Sequence, residues 1–173
     1  SHSLLEPDEQ VLFRRLGVFV GGFSLSLAQR VVVDAGGDPW SMIDRLGTLV
    51  ERSLVVADGE GVPRYHLLES ARVYALEQLE AAGEVEALER RRAEAMQALV
   101  EDFDAAIAHA PRFDALVQAI EPEMDNLRAA LRWAMSNPAA RHIALALLAA
   151  SNALWIELDP FGDAIAQYLV ARG

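Results

Sequence analysis

Cysteine and lysine are both missing from the 173-residue sequence, and all 15 basic residues are arginines. Without cysteine there can be no disulfide, no thiolate nucleophile and no sulfur-bound zinc, which fits a reducing compartment. Without lysine there can be no phosphate-binding loop of the G-x-x-x-x-G-K-[ST] type, no Schiff base and no lysine general base. These two absences remove several large classes of enzyme.

Long hydrophobic runs are also missing. The longest unbroken apolar stretch, residues 143–150, is far shorter than the roughly 20 residues that span a bilayer. The N-terminus lacks the charged start and apolar core of a signal peptide. Hydrophobic residues nevertheless make up 53% of the chain, which predicts a packed core and not disorder. We therefore expect a cytoplasmic protein without a membrane partner.

The first half of the chain predicts a winged helix. Apolar residues recur at helical spacing in three short segments, which are separated by Gly21-Gly22 and by Gly36-Gly37. Ser24 is placed to cap the second segment. Two short runs rich in β-branched and aromatic residues follow, at 54–57 and 62–67, and a glycine-containing tetrapeptide joins them as in a hairpin. Three helices and a β-hairpin are the elements of a winged helix.

The second half predicts a helical arm. Helical spacing resumes at Leu68, and Gly83 is placed to end that helix in a left-handed conformation. Further helices are expected from about 88 to 107, from Pro122 to Met135 and from 139 to 158, with a last one towards Gly173. We therefore predict a mainly α protein with a winged-helix domain at 1–83, followed at 84–173 by an arm leading into tetratricopeptide-like helices.

Charge argues against nucleic acid as a partner. The formal net charge is −11, with seven arginines against 12 acidic residues over 1–82 and eight against 14 over 83–173. The third helix and hairpin, residues 38–66, hold three arginines and five acidic residues, whereas phosphate contacts need positive charge. This count predicts that the segment does not bind nucleic acid directly.

Catalytic and metal-binding signals are weak. The four histidines show no ligand spacing, and Glu101, Asp102 and Asp104 fit the solvated face of a long helix better than an acid/base pair. Residues 21–24 follow a helix and lack the G-x-S-x-G pattern, so they are expected to form a turn. We therefore expect no catalytic residue, no metal and no cofactor in this chain, and not an enzyme.

Four strings occurring in order give the sequence a family resemblance. They are FRRLGVFVGGFSL (13–25), LVERSLV (49–55), RYHLLESARVYALEQLEAAGE (64–84) and EMDNLRAALRWAM (123–135). Together they resemble the segment that follows the nucleotide-binding domain in bacterial STAND-type signalling ATPases. Those proteins are often fused to LuxR-type or SARP-type transcriptional regulator domains. The resemblance covers roughly residues 10–158.

The resemblance implies a non-catalytic regulatory segment that couples nucleotide state to effector sensing by domain packing. ATP or ADP would bind the full-length protein, through a domain N-terminal to this chain. The implied partners are that domain and the downstream helical repeats, and the full-length protein could form an oligomer.

The resemblance also singles out His66. It lies where STAND proteins carry the histidine of a methionine-histidine-aspartate motif that reaches the phosphates of ADP. Tyr65 and Leu67 stand in place of the methionine and the aspartate, so the acidic partner of the histidine is missing from the motif. A structural histidine at the end of the hairpin is the alternative role.

Two alternatives to the regulatory segment stay open from the sequence. One is a free-standing protein-interaction or adaptor domain, and the other is a DNA-binding winged-helix regulator.

Overall fold

The computed structural model describes residues 5–59, 63–107, 109 and 113–150. The chain forms two compact units, residues 1–92 and 93–173. Helices dominate both units, and a small antiparallel sheet belongs to the first. The predicted mainly α fold, a winged helix followed by a helical arm, is confirmed.

The first unit has the element order of a winged helix. The elements are α1 (Pro7–Leu16), β1 (Phe23–Ser24), α2 (Leu25–Val32), α3 (Pro39–Glu51), β2 (Val56–Asp58), β3 (Arg64–His66), α4 (Glu69–Ala81) and the start of α5 (Val85–Ile107). Strand β3 is central and pairs antiparallel with both β1 and β2. The three predicted helices and the hairpin are therefore present, and β1 is an additional strand.

Strand β1 depends on the glycine pair before it. Gly21 and Gly22 have φ angles of 77° and 147°, which turn the chain so that Phe23 lies opposite Tyr65 of β3. A Cβ atom on Gly22 would lie 3.2 Å from the Tyr65 carbonyl oxygen. Glycine is needed here both for its conformation and for the close approach of two backbones. A strand of two residues is too short to show an alternating pattern in the sequence.

The predicted helix boundaries hold where capping groups define them. The Ser24 hydroxyl accepts from the Leu27 amide at 3.2 Å, and the Asp38 carboxylate accepts from the amides of Trp40 and Ser41. Gly83 ends α4 with a φ of 69°, as predicted.

The core of the first unit lies where α1 packs against α3 and α4. Large, fully buried side chains come from α1, β1, α3, α4 and α5: Phe13, Leu16, Phe23, Leu46, Leu49, Leu79 and Leu88. Leu88 belongs to α5, so the compact unit extends past the predicted boundary at 83/84 to Arg92. That boundary stays a prediction.

The second unit is helical throughout its described part. It contains the rest of α5, α6 (Phe113–Ile120), α7 (Met124–Ser136) and α8 (Arg141–Ala149), and a short 3-10 helix precedes each of the last two. Helix α6 is an element that the sequence analysis missed. The apolar helix predicted for 139–158 is described only through Ala150, and the last predicted helix lies outside the described residues. None of the helices within the described ranges is long and apolar enough to cross a membrane.

Candidate nucleic-acid interface

Helix α3 has a packed side and an outer side. Met42, Leu46 and Leu49 point into the core and are almost fully buried. On the outer side Trp40 is 75% exposed, and Asp44, Gly47 and Glu51 are exposed as well. We call the stripe formed by these four residues the outer stripe of α3. In a winged helix the third helix is the one that enters the major groove, so this stripe is the candidate reading surface.

The two cations of α3 and its C-cap are Arg45 and Arg52, and both face acidic residues of α1. The Nη2 atom of Arg45 donates to Asp8 Oδ2 at 2.6 Å. The Nη2 atom of Arg52 lies 4.0 Å from Glu9 Oε2. Both arginine side chains stay partly exposed, so they lie at the surface beside the outer stripe.

The hairpin of β2 and β3 carries His66, the residue predicted as a phosphate sensor. Its Nδ1 atom lies 3.0 Å from Asp58 Oδ2, and its side chain is 34% exposed. Asp58 is thus an acidic neighbour of the ring, whereas the position directly after His66 is Leu67. Asp58 comes from β2, where the pairing of Val56 with His66 brings the end of that strand close. Sequence order alone does not show such a partner, because the register of the hairpin decides it.

His66 lines a small depression that holds both a cationic and an acidic side chain. Its neighbours there include Arg72 of α4, Glu69 and the glycine pair Gly21-Gly22. The depression measures about 90 Å³, which suits a phosphate group better than a nucleotide. Arg72 Nε donates to the Phe19 carbonyl at 2.7 Å, which holds the guanidinium beside the depression.

Arginines also anchor the ends of α1 and α2 in the first unit. Arg92 of α5 donates to the Val18 carbonyl at 2.5 Å, and Arg15 of α1 donates to the Val32 carbonyl at 2.9 Å. Asp34, in the turn between α2 and α3, accepts from both Arg15 and Arg91. Hydrogen bonds from Arg91 and Arg15 lower the pKa of Asp34. The first turns of α5 therefore help to fix the turn that leads into α3.

Metal ligands do not converge in the described ranges. No group of three or more histidine, aspartate or glutamate side chains suited to a metal occurs in residues 5–59, 63–107, 109 and 113–150. Glu101, Asp102 and Asp104 are exposed on α5, and Glu101 accepts from Gln97.

The fold and the surface described above define a winged-helix module continued by a helical arm. The family model described as "Winged helix-turn-helix domain" matches residues 5–80. The match ends within α4 and so covers the three helices, the sheet and the helix that follows it.

Mycobacterial proteins are similar over most of the chain. A protein of Mycobacterium tuberculosis, provisionally named an HTH-type transcriptional regulator, is 43% identical over 159 residues, and one of Mycobacterium bovis is equally similar. The alignment covers 88% of this chain and 17% of each relative. An uncharacterized protein of M. tuberculosis is 41% identical over 90 residues, which is 51% of this chain and 23% of that protein. No solved structure matches.

These findings contradict the prediction that residues 38–66 do not bind nucleic acid. That prediction is wrong. The winged helix-turn-helix match and the relatives named as transcriptional regulators point to DNA binding. The count of charges along 38–66 failed because it ignored where the charges lie. Asp38 caps a helix and Asp58 pairs with His66, so these two acids are engaged within the fold.

Proposed function

We propose that this chain is the winged-helix and arm segment of a cytoplasmic transcriptional regulator, and that α3 and the hairpin contact DNA. The observation that carries the proposal is the outer stripe of α3, which is exposed beside a hairpin in a fold whose third helix reads the major groove. The similarity to proteins named as HTH-type regulators supports the same function.

The contacts would divide between two kinds of side chain. Arg45 of α3, Arg52 at its C-cap and Arg64 of the hairpin would bind the phosphates, which guanidinium groups bind well. Trp40 and Asp44 would face the base edges. Because a carboxylate can only accept, Asp44 would read the amino group of cytosine.

Binding to a mixed-sequence DNA duplex, measured by fluorescence anisotropy over a series of salt concentrations, tests the proposal. We expect salt-dependent binding by the 173-residue chain. In the double variant Arg45→Ala/Arg52→Ala the salt slope should fall by roughly two, one for each lost phosphate contact. Arg132→Ala on α7 is the matched control, because it removes an exposed arginine outside α3. Absence of salt-dependent binding by the unmodified chain would contradict the proposal.

A second candidate function, coupling to a nucleotide-binding domain as in STAND-type ATPases, is favoured by the geometry at His66. Asp58 occupies Nδ1 of the ring, so that Nε2 is the nitrogen that can serve a phosphate oxygen. Arg72 borders the same depression and would attract one phosphate group of ADP, whereas the Glu69 carboxylate there would repel it. The nucleotide would be held mainly by the separate domain that the resemblance implies.

Retention of ADP by a protein in which this chain follows a nucleotide-binding domain tests this second function. His66→Ala should weaken ADP retention with little loss of fold stability, because the ring is partly exposed and its one ion pair is at the surface. His142→Ala on α8 is the control, since that histidine is also exposed. Unchanged ADP retention, together with a large loss of stability, would assign His66 a structural role.

A further inference from the structure

The first turn of α1 lies against the basic side of α3. Arg45 and Arg52 are seven residues apart, which is about two helical turns, so they lie on the same side of α3. Asp8 and Glu9 are adjacent at the start of α1 and reach one arginine each. Asp8 and Glu9 therefore contact the same side of α3 that would make the proposed phosphate contacts.

The two acids are held differently. The Asp8 side chain is 68% exposed, and its contact with Arg45 lies at the surface. Glu9 is more buried, and its carboxylate also accepts from the Glu6 amide at 2.9 Å as part of a helix cap. Asp8 can therefore leave its arginine without disturbing α1, whereas Glu9 has a second, structural role.

Carboxylate and phosphate compete for the same guanidinium geometry. Arginine binds either group through paired hydrogen bonds. Because an exposed ion pair has a small net free energy, a DNA phosphate can displace Asp8 from Arg45.

We propose that Asp8 is an intramolecular competitor that occupies Arg45 in place of a DNA phosphate and so weakens the DNA affinity of the winged helix. This inference rests on the proposed DNA contact and adds its regulation. Any partner or modification that neutralised or removed Asp8 would raise the affinity.

The isosteric substitution Asp8→Asn tests the competition. In the anisotropy titration with the mixed-sequence duplex, this variant of the 173-residue chain should bind roughly two- to fivefold more tightly at low salt, as loss of a surface ion pair allows. Its salt slope should stay close to that of the unmodified chain, because Arg45 contacts the same phosphate in both. Thermal unfolding should show a fold close to that of the unmodified chain, since Asp8 is a surface residue.

Two comparisons separate competition from a general change in net charge. Asp104→Asn makes the same change at an exposed position of α5 and should not raise the affinity by a comparable amount. In the Arg45→Ala background, Asp8→Asn should bring no further gain, because the arginine under competition is gone.

Three results would overturn the inference. Equal gains from Asp8→Asn and Asp104→Asn would show that only net charge matters. A gain that persists in the Arg45→Ala background would show that Asp8 acts through another group. If neither the unmodified chain nor any variant binds the duplex, the proposed DNA contact fails and the inference fails with it.

Discussion

Gly47 is a single residue of α3 whose presence the fold does not explain. It lies in the middle of the helix and on its outer stripe, and a Cβ atom there would meet nothing within 4 Å. Glycine inside a helix is destabilising because the unfolded chain has more conformational freedom to lose. Such a local cost is typical of positions that serve a partner, and under the proposed DNA contact the missing side chain would leave room for a DNA backbone or base edge.

Gly47→Ala should therefore raise the free energy of unfolding by about 0.5–1 kcal/mol and weaken binding to the DNA duplex. Urea unfolding and the anisotropy titration measure the two effects. Gly36→Ala is the matched control: its surroundings are equally open, but its φ of 81° disfavours alanine, so this variant should gain no stability. Greater stability with unchanged DNA binding would show that the position has no role in the interface.

At the scale of elements, the buried Arg92 holds α5 to the turn that follows α1. Arg92 is 2% exposed, donates to the Val18 carbonyl and pairs with Glu89 one turn earlier. Burial raises the pKa of Glu89, although the charge of Arg92 and its hydrogen bond act in the opposite direction. Arg92 thus satisfies a turn carbonyl and a partly buried carboxylate together.

Arg92→Ala should lower the free energy of unfolding by about 3–5 kcal/mol at neutral pH. The substitution leaves the Val18 carbonyl and the partly buried Glu89 carboxylate without their arginine partner. The loss should shrink in acid. Without Arg92 the pKa of Glu89 in the folded chain should rise further above its unfolded value. The charged carboxylate then destabilises the fold at neutral pH, and this destabilisation disappears as the pH falls below the unfolded pKa. Urea unfolding at neutral and acidic pH measures this change. The half-exposed neighbour Arg90 is the control, and Arg90→Ala should cost less than about 1 kcal/mol.

Elements with strong local signals were predictable from the sequence. The caps at Ser24 and Gly83 placed two helix boundaries, and the paired runs around residue 59 revealed the hairpin. Helix α6 was missed because it is only eight residues long, which is too short to show a clear helical period in the sequence. Strand β1 was missed because its pairing with β3 is a long-range contact.

The candidate site was less predictable than the fold. His66 was singled out by resemblance, but its partner Asp58 depends on the register of β2 against β3. The ion pair between Asp8 and Arg45 depends on the packing of α1 on α3, which a charge count along 38–66 does not include. Contacts between distant segments are a property of the folded chain, so local patterns cannot show them.

At the scale of the whole molecule, the C-terminal end of the winged-helix unit determines which part of the chain can fold independently. The sequence pattern places its end at residue 83, whereas the compact unit continues to Arg92. The added residues contain Leu88, which is fully buried, and Glu84, which accepts from Arg14 and Arg15 of α1. They also contain Arg91, which holds Asp34 in the turn before α3.

A chain ending at residue 92 should therefore unfold cooperatively, and one ending at 83 should be less stable by several kcal/mol. Loss of a buried leucine alone costs about 2–5 kcal/mol, and loss of the carbonyl contact of Arg92 adds to it. Circular dichroism during urea unfolding compares the two chains, and Leu88→Ala in the longer one isolates the contribution of the core. Hydrogen exchange should show faster opening of the turn at Asp34 in the shorter chain, because Arg91 is absent. Equal stability and equal exchange in the two chains would place the end of the unit at 83 and would limit α5 to the arm.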